Sequence, residues 1–231
     1  MNGLRVLATD MDGTFIPLNG NEENRGDLIR LVELLRRSDI ELVYVTGRHY
    51  ESVLAAIGSE QLPNPDWMIC DVGTSIYYRG AGGEHQPMTA YSQHLSELVM
   101  GCEASQLRDA FSAISGLRFQ EEEKQGRFKL SFYCDADELA PLVDSILAIL
   151  SQRDLAYHVV ASVDPFTGDG LIDVMPNTVN KAYALRWWSK HRRFSRDAIM
   201  FAGDSGNDLA ALTEGYRSIL VGNSPETLRA A

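Results

Sequence analysis

At 231 residues the chain has room for one core plus an inserted or appended module, and 45% hydrophobic with 23% charged residues excludes a disordered or fibrous protein. A formal net charge of −11 works against nucleic acid and anionic membranes, because a polyanion would be approached against a long-range repulsion. Any anionic ligand must be small and locally neutralised by a metal cation or by clustered Lys and Arg.

The first residues, Met-Asn-Gly-Leu-Arg, lead into a short apolar run that ends in acids, so no signal peptide and no membrane span is expected, and the cytoplasm is the expected location. Residues 4–9 (LRVLAT) read as a strand stopped by Asp-Met-Asp-Gly, and residues 23–37 carry Leu28, Leu31, Val32, Leu34 and Leu35 at helical spacing. A strand at 41–46, a helix near 49–58 and a third apolar run at 67–73 continue the alternation. Alternation of this kind predicts a parallel sheet with helices on its faces.

The middle of the chain differs. Residues 80–83 (GAGG) read as a flexible joint, and a less periodic stretch follows with the acidic run Glu121–Glu123. Within it RFKLSFYC (127–134) alternates strictly, a helix is predicted near 137–151, and strands at 156–162 and 171–176 are joined by the turn-rich DPFTGDG. Short returns of this sort suggest an antiparallel sheet backed by helices. From about 179 the first style resumes, with a helix through Trp187 and Trp188, the run AIMFAG (198–203), a helix from about 207 and the strand RSILVG (217–222). The fold expected is α/β, a Rossmann-like parallel-sheet core (1–83 and 177–231) with an inserted α+β cap domain (84–176). Cys70, Cys102 and Cys134 are odd in number with no CxxC pair, which fits free buried thiols in a reducing compartment.

In an open parallel sheet, ligands gather beyond the carboxyl ends of the strands. Segments that set polar residues there are Asp10-Met11-Asp12-Gly13-Thr14, Thr46-Gly47-Arg48, Lys181 at a helix start, and Gly203-Asp204-Ser205-Gly206-Asn207-Asp208. Singly, each has a plainer reading: a turn, a strand-to-helix connection, a surface lysine, a helix cap. A calcium loop begun at Asp10 would need Gly at its sixth position and Glu at its twelfth, where this chain has Phe15 and Asn21.

Taken together and in this order, the segments resemble the motifs of haloacid dehalogenase superfamily phosphatases, over nearly the whole chain. The resemblance implies that Asp10 attacks phosphorus while Mg²⁺ is held by Asp10, the backbone carbonyl of Asp12 and Asp204. It implies that Asp12 protonates the leaving oxygen and then activates water, and that Thr46 and Lys181 hold the phosphoryl oxygens. Asp208 would stand behind the metal, orienting Lys181 or a metal-held water, with Ser205 and Asn207 completing the polar lining. The need is chemical: a carboxylate approaches a phosphate dianion only when their repulsion is cancelled.

The insert lies between the Thr46 and Lys181 segments, the position of the larger cap type in this superfamily, whose caps select substrate. On residues 127–134, Arg127, Lys129, Ser131 and Tyr133 share one face and Phe128, Leu130, Phe132 and Cys134 the other, so the polar face is expected over the site and the apolar face under the helix at 137–151. A plain solvent-facing side of the sheet is the alternative. The segments TGRHYES, DVGTSIYY, FKLSFYCD, IDVMPNTVNK and GDSGNDLAAL are most similar to sucrose-phosphate phosphatases and relatives acting on other glycosyl phosphates. That similarity makes Gly47, Arg48, Lys129, Asp173 and Asn180 candidate substrate contacts. Gly13 departs from it, since many sucrose-type members carry Asn there. The implied partner is a small sugar phosphate, with no nucleic acid or membrane; a monomer and an association with a glycosyltransferase stay open. Alternatives are a phosphatase of another small phosphoester such as mannosyl-3-phosphoglycerate, or a non-catalytic carbohydrate-binding or regulatory module.

Overall fold

Short apolar runs buried on both faces make the inner strands of a parallel sheet, and the computed structural model, which describes residues 3–16, 22–164 and 167–230, lines them up in that way. The chain divides into two units, Met1–Met88 with Asn180–Ala231, and Thr89–Val179. In chain order the elements begin with β1 (Val6–Thr9), α1 (Glu22–Arg37), β2 (Glu41–Val45), α2 (Tyr50–Ser59), β3 (Trp67–Cys70), β4 (Ser75–Arg79) and β5 (His85–Pro87). Then come α3 (Thr89–Leu98), α4 (Arg108–Ser112), β6 (Arg118–Phe119), β7 (Leu130–Cys134), α5 (Leu139–Gln152), β8 (Tyr157–Val163) and β9 (Gly170–Pro176). The last are α6 (Lys181–His191), β10 (Ile199–Gly203), α7 (Leu209–Leu212), β11 (Arg217–Leu220) and α8 (Glu226–Arg229).

The first unit holds a sheet in the order β11-β10-β1-β2-β3-β4-β5, parallel from β11 to β3 and antiparallel at β4 and β5. The chain steps outward from β1 to β5 and returns on the other side of β1 at β10. That reversal makes β1 and β10 the switch point, where the crevice beyond the strands opens for a ligand. Leu7, Leu42, Tyr44 and Met68 pack on one face with Val53 and Ala56 of α2, and Trp188 of α6 is fully buried with its ring edge-on to Trp67 at 5.7 Å. Trp187 stacks on His191 at 5.1 Å.

The second unit is an antiparallel sheet in the order β6-β7-β9-β8. The helix α5 buries Leu142, Ile146 and Leu150, a four-residue repeat that makes one apolar stripe, and packs on β8 and β9. β7 begins at Leu130, three residues later than the alternation of 127–134 suggests, because Gly126 and Lys129 bridge one another just before it. Residues 80–83 form the hairpin turn between β4 and β5, closed by Gly80 N–H to the Glu84 carbonyl at 2.8 Å. Turn and joint draw on the same glycines, which is why the stretch reads either way. The helix expected from about 207 is a 3₁₀ turn at Gly206–Asp208 followed by the single turn α7. Pro165 and Phe166 of the DPFTGDG turn lie outside the described residues. Cys70 and Cys134 are buried, Cys102 is half-buried, and all are free. Among the described residues no helix is long and apolar enough to cross a membrane.

Candidate active site

Asp10 follows β1 and Asp204 follows β10, so the switch point brings two carboxylates together from residues far apart in sequence. The Asp10 amide is tied to the Ala202 carbonyl at 2.9 Å, and the turn after it is closed by the amides of Phe15 and Ile16 on the Met11 carbonyl at 3.0 and 2.8 Å. Gly13 sits in the left-handed region at φ +73°, and a Cβ there would fall 2.6 Å from Asp204 Oδ2. Conformation and the approach of Asp204 both favour glycine at this position. Thr14 Oγ1 donates to Asp204 Oδ1 at 3.0 Å, and Asn223 Nδ2 donates to the Gly13 carbonyl at 2.8 Å.

Lys181 opens α6, whose N-cap is Asn180, with the Asn180 side chain accepting from the Tyr183 amide at 2.8 Å. The Lys181 side chain is 1% exposed, and its Nζ lies 2.9 Å from Asp10 Oδ1, 2.9 Å from Asp208 Oδ1 and 3.0 Å from Asn207 Oδ1. The other oxygen of Asp208 accepts from the amides of Asp204 and Ser205 at 3.3 and 3.2 Å. Ser205 Oγ lies 3.0 Å from that oxygen and 2.8 Å from Asn207 Oδ1. Gly203 makes room, because a Cβ there would come 2.6 Å from that of Asp208. Asp208 is thus a strut whose two oxygens are engaged by Lys181 and by the 204–205 turn.

Burial pushes the Asp10 carboxyl up to about 6, with Lys181 opposing the rise and Asp208 adding to it. Burial also raises Asp204, against the hydrogen bond from Thr14. Burial works against the charge on Lys181 too, but Asp10 and Asp208 outweigh it and keep its pKa above the usual value. One ammonium among three acids leaves an excess of negative charge. One carboxylate oxygen from each of Asp10, Asp204 and Asp208 lies within 4.8 Å of the others. An all-oxygen, net-negative donor set of this kind fits a hard divalent cation such as Mg²⁺.

Thr46, fully buried at the end of β2, is joined to the same turn through Arg48. Its Oγ1 accepts from the Arg48 amide at 3.2 Å, and the Arg48 guanidinium donates to both oxygens of Asp12, Nε to Oδ2 at 2.8 Å and Nη2 to Oδ1 at 2.6 Å. Asp10, Asp12, Thr46, Gly47, Arg48, Asn180, Lys181, Asp204, Ser205, Asn207 and Asp208 all belong to the first unit. Lys129 and Asp173 belong to the second, where Lys129 is buried beside β7 and Asp173 on β9 accepts from Ser131 Oγ at 2.5 Å. Residues that no sequence pattern singled out are Thr14, Ser52, Asp71 and Asn223. Thr14, Ser52 and Asp71 lie inside segments that carried a signal, Asp10–Thr14, TGRHYES and DVGTSIYY, while Asn223 lies outside all of them.

A mostly parallel sheet whose switch point gathers acids around one buried lysine is the arrangement of the haloacid dehalogenase fold. The family described as sucrose-6F-phosphate phosphohydrolase matches residues 4–230, and the chain belongs to it. A relative from Nitrosococcus oceani is 36% identical over 97% of this chain and 60% of its own length. The mannosylfructose-phosphate phosphatase of Agrobacterium fabrum is 32% identical over 100% of this chain and 88% of its own. The sucrose-phosphatase of Synechocystis sp. PCC6803, solved with sucrose and phosphate, superposes with a TM-score of 0.75 at 25% identity, over 99% of this chain and 87% of that one. The chain therefore spans less than two thirds of the first of these relatives and most of the other two.

Proposed function

We propose that the protein is a Mg²⁺-dependent phosphatase of a glycosyl phosphate, sucrose 6-phosphate or a related disaccharide phosphate, working through an aspartyl phosphate on Asp10. The observation that carries this reading is the buried Asp10 carboxylate 2.9 Å from Lys181 Nζ, in company with Asp204 and Asp208. Asp10, Asp204 and the main-chain carbonyl of Asp12 would hold the cation, which when bound supplies positive charge against the phosphoryl oxygens.

In the first half-reaction an Asp10 oxygen bonds to phosphorus, the bond from phosphorus to the sugar oxygen breaks, and Asp12 gives that oxygen its proton. In the second, water attacks phosphorus, Asp12 takes its proton, and Asp10 is released. Lys181 and the Thr46 hydroxyl bind the phosphoryl oxygens, while Asp208 and Asn207 hold the ammonium in place. The second unit acts as the cap, and Lys129 and Asp173 are its candidate sugar contacts.

A disaccharide phosphate other than sucrose 6-phosphate draws support from the 32% identity to the mannosylfructose-phosphate phosphatase, against 25% to the Synechocystis sucrose-phosphatase. The test is phosphate release with and without Mg²⁺ across sucrose 6-phosphate, mannosylfructose phosphate, mannosyl-3-phosphoglycerate and simple hexose phosphates. Asp10→Asn should abolish release from every substrate while the folded structure persists by circular dichroism. Undiminished turnover in that variant would end the proposal.

A further inference from the structure

The similarity to sucrose-phosphate phosphatases makes Arg48 a candidate sugar contact, but three of the five N–H donors of its guanidinium already have partners in the protein. Nε and Nη2 form a fork onto both oxygens of Asp12, at 2.8 and 2.6 Å, and Nη1 donates to Ser52 Oγ on α2 at 3.1 Å. The backbone of Arg48 is held as well. Its amide donates to Thr46 Oγ1 at 3.2 Å and its carbonyl accepts from the Asp71 amide at 2.9 Å. The arm is therefore fixed at its root and at its far end before it meets the carboxylate.

The support behind the root is itself unusual. Asp71, Val72 and Gly73 follow one another in the left-handed region, at φ 52°, 58° and 101°. A β-branched residue such as Val72 rarely adopts that region, and strain of this kind persists where neighbours over-determine it. Here the Val72 amide donates to the Thr46 carbonyl at 3.1 Å, and a Cβ on Gly73 would come 2.4 Å from the Asn180 carbonyl oxygen. The turn thus holds both Thr46 and Arg48 from behind.

We propose that Arg48 is a positioning residue for Asp12, aiming its carboxyl at the leaving oxygen, and is not a ligand of the sugar. This rests on the phosphatase reading above. The fork is directional and uses one lone pair on each Asp12 oxygen, which leaves another on each to carry the proton. Asp12 is 56% exposed and sits on a turn, and without the fork its side chain would sample several rotamers. Arg48 keeps its own proton throughout. In the first half-reaction the proton passes from Asp12 to the sugar oxygen as the bond to phosphorus breaks, and in the second from water to Asp12.

The experiment compares leaving groups. p-Nitrophenolate departs without a proton, whereas a sugar alkoxide needs one. With the best glycosyl phosphate of the panel, Arg48→Gln should lower kcat by about 100-fold, the low end of the range for a lost general acid, with KM changed less than about threefold. With p-nitrophenyl phosphate the same variant should release a burst of about one equivalent of nitrophenolate, then turn over slowly, because only the second half-reaction still needs Asp12. Arg48→Lys, which cannot form the fork, should recover only part of the loss, and Ser52→Ala should show a smaller loss with the same leaving-group dependence. The double variant Asp12→Asn with Arg48→Gln should be no slower than Asp12→Asn alone, within about threefold.

A rise in KM of more than about tenfold at unchanged kcat would make Arg48 a sugar ligand and overturn the proposal. Equal losses on both substrates without a burst would overturn it too, as would full rescue by lysine. If the wild-type protein with Mg²⁺ releases no phosphate from any substrate, it is the phosphatase reading that fails, and with it this role.

Discussion

Asp10 and Asp12 leave the same turn two residues apart, yet Asp10 meets Lys181 in the interior, at side-chain exposures of 7% and 1%, and Asp12 meets Arg48 nearer the surface, at 56% and 32%. Water decides what each pair is worth. In the interior the charges are poorly screened, so removing one partner strands the others at high cost. At the surface, attraction is offset by hydration and side-chain entropy, and such a pair adds little to stability. In the proposed reaction the nucleophile would thus be held by energetics and the proton carrier by geometry, which suits a group that must keep exchanging a proton with an oxygen outside the protein.

The comparison breaks first at Lys181. Replacing Lys181 by Met leaves Asp10 and Asp208 buried without their counter-charge, and should cost about 3–5 kcal/mol in a denaturant titration of metal-free protein at neutral pH. A loss below about 1 kcal/mol would mean the interior pair behaves like the surface one.

A smaller effect sharpens the same contrast through pH. The Asp10 carboxyl stands at about 6 in the folded protein against an ordinary 3.8, so the folded state binds this proton more tightly than the unfolded state. Stability contributed through Asp10 is therefore highest below about pH 4 and is lost as the pH rises through about 6. In metal-free protein the stability of the wild type minus that of Asp10→Asn should fall across this window, by on the order of 1–3 kcal/mol. A difference that rises with pH would show Asp10 to be stabilised as a carboxylate.

The smallest effect belongs to the outer pair. Asp12→Ala should change stability by less than about 1 kcal/mol while removing most turnover of a sugar phosphate. A drop of several kcal/mol in thermal or denaturant unfolding would make the Arg48 fork a structural strut.

The parallel core was legible because its signals are local. Each strand is a contiguous apolar run and each helix an apolar spacing within one segment, so the alternation that predicts α/β survives without any knowledge of contacts. The polar segments at strand ends were legible for the same reason, including the Asp10–Thr14 stretch and the Gly203–Asp208 stretch. Residues 80–83 read as a joint between modules and are a hairpin within the larger sheet, since glycines serve both uses. Asn180 and Arg48 read as candidate sugar contacts from resemblance, and the bonds their side chains make within the fold, Asn180 to the Tyr183 amide and Arg48 to Asp12, had no local signal. Asn223 had no pattern to mark it, though it bonds the Gly13 carbonyl.

The sequence alone determined which residue types stand at which strand ends, and so that an acid-rich crevice should form, because strand, turn and helix preferences act between near neighbours. Tertiary structure alone decided how those residues are shared out: Lys181 between Asp10 and Asp208, Arg48 onto Asp12, and Gly13 against Asp204. These pairings join residues 27 to 191 positions apart, as from 181 to 208 or from 13 to 204. No local preference reaches that far, and burial of the apolar faces of the sheet is what brings the strand ends together and fixes the distances between them.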